Sequence, residues 1–188
     1  MLFRKRNKDE SEVIASCVKG DSIAQKELYE LYFNYAMSVA MRYSQNRNDA
    51  IEVVNDAFLK VFSSISKFES DQPFKAWFRQ IVIYTAIDHY RKFMKVAHDS
   101  IDTLFVDERI EPDVFSYLGE EEILKCVQQL PTSYRTVFML YVVDGYKHHE
   151  ISSMLQISVG TSKSNLAFAR QKLKNILAKS SKSYQRHG

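Results

Sequence analysis

"YKHHEISSMLQISVGTSKSNLAFARQKL", residues 146–173, carries two helical patterns separated by a break. Ile151, Met154 and Leu155 fall on one side of a first, short helix. A tight turn passes through Gln156 and Ile157, and Ser158 is placed to cap a second helix with Val159, Leu166, Ala169 and Leu173 on its inner face. This is the spacing of a helix-turn-helix, whose second helix enters the major groove of DNA by its N-terminal residues. Gly160, Thr161, Ser162 and Ser164 are small, so the helix front can come close to base edges, and its free N–H groups attract phosphate. Lys163, Arg170, Lys172 and Lys174 add cations that displace the counterions of DNA. An ordinary amphipathic helix pair is the alternative. Cap, turn and basic end together favour DNA binding.

Charge supports the same reading. Residues 1–98 hold 15 Lys and Arg against 12 Asp and Glu, residues 99–122 hold 1 against 9, and residues 123–188 hold 10 against 2. A nearly balanced front, an acidic middle and a basic end read as module, linker, module, and a basic module suits nucleic acid. On charge alone a solvated helical surface fits equally well. The 188 residues allow one large or two small domains, and the 45% hydrophobic content is enough for a core. Five Gly and three Pro leave few turns, which favours long helices. No apolar run reaches the roughly 18 residues of a membrane span and no leader pattern opens the chain, so a cytoplasmic location without membrane insertion is expected. Cys17 and Cys126 stand alone as reduced thiols.

Upstream, residues 9–18 form a short helix with Val13, Ile14 and Val18 on one side. Gly20 ends it, and Asp21 caps a long helix carrying Leu28, Leu31, Tyr32, Tyr35, Ala36, Val39 and Ala40. Asn48 or Asp49 opens the next, whose apolar row is Ala50, Val53, Val54, Ala57, Phe58, Val61 and Phe62. The loop "SKFESDQP" (66–73) leads to Pro73 at the start of a helix reaching about residue 94, mostly buried between Ile81 and Ile87. The acidic stretch from about 99 to 118 has no period and contains Pro112. As a tether of about 20 residues it spans on the order of 70 Å when extended, about two turns of B-DNA at roughly 34–36 Å each. Four helices follow, at about 119–129, 131–143, 147–154 and 159–178, and no strand pattern is visible.

Two further stretches offer chemistry. In "PFKAWFRQIVIYTAIDHYRK" (73–92), Phe74, Trp77, Phe78 and Tyr84 can stack on unpaired bases while Arg79, Arg91 and Lys92 hold the backbone; taken singly, each aromatic fits a core position better. Asp88 in this apolar setting needs a partner, either Arg91 or Arg47. The outer face of the helix at 49–62 shows Asp49, Glu52, Asn55, Asp56 and Leu59, which suits a basic helical partner or plain solvation. "HHE" at 148–150 lacks the second His of His-Glu-x-x-His, because Ser153 stands there, so no zinc site and no other cofactor is expected. His148 and His149 instead suit a helix start or a phosphate contact.

In this order the stretches resemble the extracytoplasmic-function (ECF) sigma factors of bacterial RNA polymerase, from about Gly20 to Leu177 without the tether. "NDAIEVVNDAFLKVF" is similar to the family's core-binding helix, which implies that Asp49, Glu52, Asn55, Asp56 and Leu59 meet core polymerase. "FKAWFRQIVIYTAIDHYRK" resembles the segments that open and read the −10 element, implying roles there for Ser66, Lys67, Phe68, Trp77, Arg79, Tyr84, Asp88, Arg91 and Lys92. "LPTSYRTVFMLYVVDGYKHHEISSMLQISVGTSKSNLAFARQKL" is similar to region 4, which reads the −35 element, with Pro131, Tyr134, Arg135 and Phe138 matching its opening. The implied −35 set is His148, His149, Gly160, Thr161, Ser162, Lys163, Ser164, Asn165 and Arg170. Asn55 and Asp56 replace the family's usual Gln-Glu pair, Tyr84 stands at a common Asn, and Asn165 at a position often basic. The resemblance implies an all-α protein: a region 2-like domain at 1–98, an acidic linker at 99–118 and a helix-turn-helix domain at 119–188. It implies no enzymatic activity. The implied partners are core RNA polymerase, double- and single-stranded promoter DNA and an anti-sigma factor. The alternative is a freestanding helix-turn-helix repressor or activator with an N-terminal sensing or dimerisation domain.

Overall fold

Asp21 and Asn46 show how local chemistry starts the helices. The Asp21 carboxylate accepts from the N–H groups of Ile23 (2.8 Å) and Ala24 (3.3 Å), and the Asn46 side chain accepts from Asp49 N–H at 3.0 Å. The structure is a computed structural model and describes residues 9–69, 71–97 and 126–184, with side chains at 9–69, 71–95 and 126–178. Its helices are α1 (Glu10–Val18), α2 (Ser22–Ala40), α3 (Arg47–Ser64), α4 (Phe74–Ala97), α5 (Thr132–Phe138), α6 (His148–Leu155) and α7 (Val159–Tyr184). A 3-10 turn, Ile65–Lys67, follows α3, and a π-helical turn, Met139–Val143, continues α5. No strand occurs among the described residues, so the chain is all-α there. The acidic tether and the start of the helix expected at 119–129 lie outside them; residues 126–128 are helical. The α3 helix begins at Arg47, ahead of the expected Asn48 or Asp49, because the Asn46 side chain caps it.

The chain divides into two compact units, one taking in residues up to Met41 and Asn46–Ala86, the other Arg42–Gln45 and residues from Ile87 onward. In the first, Leu28, Val53, Val54, Phe58, Phe78 and Ile83 are almost wholly buried. Phe58 of α3 lies 4.6 Å from the Tyr29 ring of α2 and 4.9 Å from Phe78 of α4, so one ring joins three helices. Two expected core residues are outside: Val18 is 49% and Leu31 57% exposed. Val13 and Cys17, four residues apart, form the buried row of α1 instead.

In the second unit Val127, Val137, Leu140, Ile151, Leu166, Ala169 and Leu173 build the core. Arg135 is buried; its Nη2 donates to Ser44 O (2.8 Å) and its Nη1 to Gln128 O (3.1 Å), and burial lowers its pKa. Between α6 and α7, Gln156 takes φ +56°, the left-handed conformation that costs a residue with a Cβ about 1–2 kcal/mol. The turn is held by Ile157 N–H on Ser152 O (3.2 Å) and by the Ser152 hydroxyl on Ile157 O (2.6 Å). Gln156→Gly should raise stability by about 1 kcal/mol, read as a higher midpoint in urea denaturation; an unchanged or lower midpoint would show that the Gln side chain compensates.

Asp144 follows the π turn, and its carboxylate accepts from the Tyr43 hydroxyl. Burial pushes its pKa up to about 6, against the opposing pull of Arg42. A carboxyl raised in the folded state holds its proton more tightly than in the unfolded chain. Its contribution is therefore fullest below the ordinary value and is lost as pH rises from about 4 to 6. Asp144→Asn removes that loss: the variant's Tm minus the wild type's should grow between pH 4 and pH 7, and a constant difference across that range would contradict it.

Candidate nucleic-acid and polymerase interface

Ser158 caps α7, its hydroxyl accepting from Thr161 N–H at 2.9 Å and sharing a 2.8 Å hydrogen bond with the Thr161 hydroxyl. The exposed front of α7 is therefore Val159, Gly160 and Lys163, with Thr161, Ser164 and Asn165 half-buried behind. Gly160 has no positive φ, and a Cβ there would meet only Ser158 Oγ at 3.5 Å, so neither strain nor crowding demands glycine. Arg170 is half-buried, while Lys172 and Lys174 are exposed further along.

Two expectations for this helix are corrected. Ser162 is fully buried, and its Oγ lies 2.9 Å from His148 Nδ1, so it faces the core and not a base. The cause is its place on the row Ser162, Leu166, Ala169, Leu173, which points inward. Val159, expected on the inner face, is 40% exposed at the very front. It is the candidate contact that sequence reading missed; its position directly after the cap, one residue ahead of Gly160, was the available signal. An exposed apolar group there suits the methyl of thymine.

His148 opens α6, and its ring stacks on Tyr141 with centroids 4.5 Å apart. Burial first, then Lys163 and Arg170, hold its pKa below the ordinary histidine value. The neighbouring His149 is exposed, and Glu150 caps the helix by accepting from Lys147 N–H at 2.7 Å.

On α3, Glu52, Asn55 and Leu59 are exposed and Asp49 and Asp56 half-buried, so the five residues do share an outward stripe. Leu59 is 68% exposed. Asn55 Oδ1 accepts from the Tyr29 hydroxyl at 3.1 Å, which orients its amide.

Around the loop before α4, Ser66 and Lys67 are exposed and Phe68 and Trp77 half-buried, their rings 5.3 Å apart. Phe74 and Phe78 are only 3% and 0% exposed, so they pack in the core and do not present stacking faces. Tyr84 is 49% exposed and Arg79 half-buried. In the second unit, Asp88 pairs with Arg91, one of its two expected partners, at 3.6 Å. Arg91 Nε also donates to Met154 O at 2.6 Å, while Lys92 is exposed. Among the described residues no group of His, Cys, Asp and Glu stands together as a metal site, and no helix is long and apolar enough to cross a membrane.

One unit thus carries a helix-turn-helix, and the other an acidic stripe with Leu59 at its edge and the exposed ring of Tyr84. Residues 28–95 match the family model of sigma-70 region 2, and residues 120–173 that of sigma-70 region 4. The chain belongs to the sigma-70 family, in its ECF branch, and is a sigma factor of RNA polymerase. It is 23% identical to the RNA polymerase sigma factor SigV of Bacillus subtilis, over 93% of this chain and 97% of that protein. It is 25% identical to the ECF sigma factor SigW of the same organism, over 94% and 97%. A solved structure of the sigma factor RpoE of Bartonella quintana, in complex with the anti-sigma factor NepR, aligns over 81% of this chain and 96% of that one. The TM-score is 0.47 and the identity 22%.

Lys163→Ala and Arg170→Ala should each flatten the slope of log Kobs against log salt on duplex DNA by about 0.9 for every phosphate contact removed. Lys26→Ala, at an exposed ion pair with Glu30 on the other unit, should leave it unchanged. Equal slopes for all three variants would take Lys163 and Arg170 out of the interface.

Proposed function

We propose a division of labour for this sigma factor. A region 2-like domain (1–98) binds core polymerase and the −10 element, an acidic linker (99–118) acts as spacer, and a region 4-like domain (119–188) binds the −35 element. The paired order of the two sigma-70 regions carries this reading, since a repressor needs only the helix-turn-helix. On α3, the acidic stripe with Leu59 at its edge would take a basic, partly apolar helix of polymerase. At the loop and α4, Phe68, Trp77 and Tyr84 offer ring faces for bases that leave the stack, each worth about 1–3 kcal/mol. On α7, Val159, Gly160 and Lys163 would touch base edges and backbone. The chemistry of RNA synthesis belongs to the polymerase, so the chain acts as an initiation factor and not as an enzyme, in the cytoplasm with its polymerase. An anti-sigma factor, which family membership implies, would hold it inactive.

Purified chain added to sigma-free core polymerase should give run-off transcripts from a subset of genomic fragments; transcription from none would overturn the reading. The double variant Glu52→Lys/Asp56→Lys should keep its helical circular dichroism and lose core affinity at least about tenfold, which is about 1.4 kcal/mol. Unchanged capture of core at moderate salt would remove this face from the interface.

A further inference from the structure

His148 sits where three elements of the second unit meet. Its ring lies flat on Tyr141 of the π turn, with centroids 4.5 Å apart. Its Nδ1 is 2.9 Å from the hydroxyl of the fully buried Ser162 of α7. These two contacts fix the ring plane and commit the Nδ1 edge inward, leaving the Nε2 edge for whatever binds outside. The charged groups around it are Lys163 and Arg170 from α7 and, on its own element, Lys147 and Glu150, whose carboxylate is engaged by the Lys147 N–H. His148 is also the first residue of α6, at the positive end of the helix dipole. Two cations and a helix start make this a poor place for a further positive charge while the unit is free. Duplex DNA reverses the balance. Once phosphates reach Lys163 and Arg170, they bring negative charge to the same spot.

We propose that His148 is a DNA-backbone ligand, positioned by Ser162 and Tyr141, and that it takes up a proton when duplex docks. In the docked state Nε2–H donates to a phosphate oxygen and the imidazolium keeps its second N–H on the Ser162 hydroxyl, which can accept as readily as it donates. The inference rests on the DNA-binding reading of the helix-turn-helix and adds its ionic chemistry: duplex affinity rises as pH falls.

The test uses the full chain and a fluorescein-labelled mixed-sequence duplex of about 30 base pairs, at constant low ionic strength, from pH 8 to pH 5.5; backbone contacts do not depend on sequence. Wild type should tighten severalfold more than His148→Gln across this range, and Lys26→Ala, on the other unit, should follow wild type. In the unmodified chain, the His148 ring pKa followed by its imidazole C–H resonances should rise when duplex is added, whatever the variants do to folding. Binding with parallel pH profiles for wild type and His148→Gln, or a ring pKa unmoved by duplex, overturns the proposal and leaves DNA binding standing. No binding by wild type at any pH overturns the DNA-binding reading and the proposal together.

Discussion

The presentation of α7 depends on a single left-handed residue. Gln156 turns the chain after α6, and Ser152 holds Ile157 from both sides, by its carbonyl and by its hydroxyl. With the turn locked and Ser158 fixed as the cap, α7 has one way to bury Leu166, Ala169 and Leu173. That rotation settles every other position on the helix. It carries Val159, Gly160 and Lys163 outward and Ser162 inward. Buried hydroxyls mostly find a partner, and that of Ser162 lies 2.9 Å from His148 Nδ1. The orientation of the histidine is thus a consequence of the turn.

The N-terminal unit is organised around rings. Phe58 touches Tyr29 and Phe78, while Tyr32 lies 5.0 Å from Phe74, so α2, α3 and α4 meet through aromatic faces and edges. Rings of this size leave no room for charge on the inner side of α3. Glu52, Asn55 and Leu59 are accordingly displaced to the opposite side, where a protein partner can reach them. The Tyr29 hydroxyl links the two faces, since the ring packs inside while the oxygen orients Asn55. The same packing explains why Phe74 and Phe78 are unavailable to bases and why Phe68, Trp77 and Tyr84 are left as candidates.

Charge is placed unevenly for a reason that follows from the task. The last 66 residues hold 10 of the cations and only 2 of the acids, which draws DNA from a distance. At the reading helix, burial first and then Lys163 and Arg170 hold the His148 pKa below the ordinary histidine value. Asp144 shows the opposite case, a carboxyl that burial makes reluctant to ionise, while Arg42 works against that burial.

Much of this protein is written locally. The all-α class, the caps at Asp21 and Ser158 and the turn at Gln156 follow from residue spacing and side-chain chemistry, because a helix start or stop is decided within a few residues. The tertiary structure alone decided which side of each helix is inside. Val18, Leu31 and Val159 are apolar and keep helical spacing, yet they are exposed. Ser162 is polar and small, yet it is fully buried. A helical row several residues wide can be turned slightly either way at little local cost, and only the neighbouring helices select the rotation. For that reason the helix that reads DNA was evident from the sequence, whereas the side chains at its front, and the histidine behind them, became evident only when α6 and α7 were packed together.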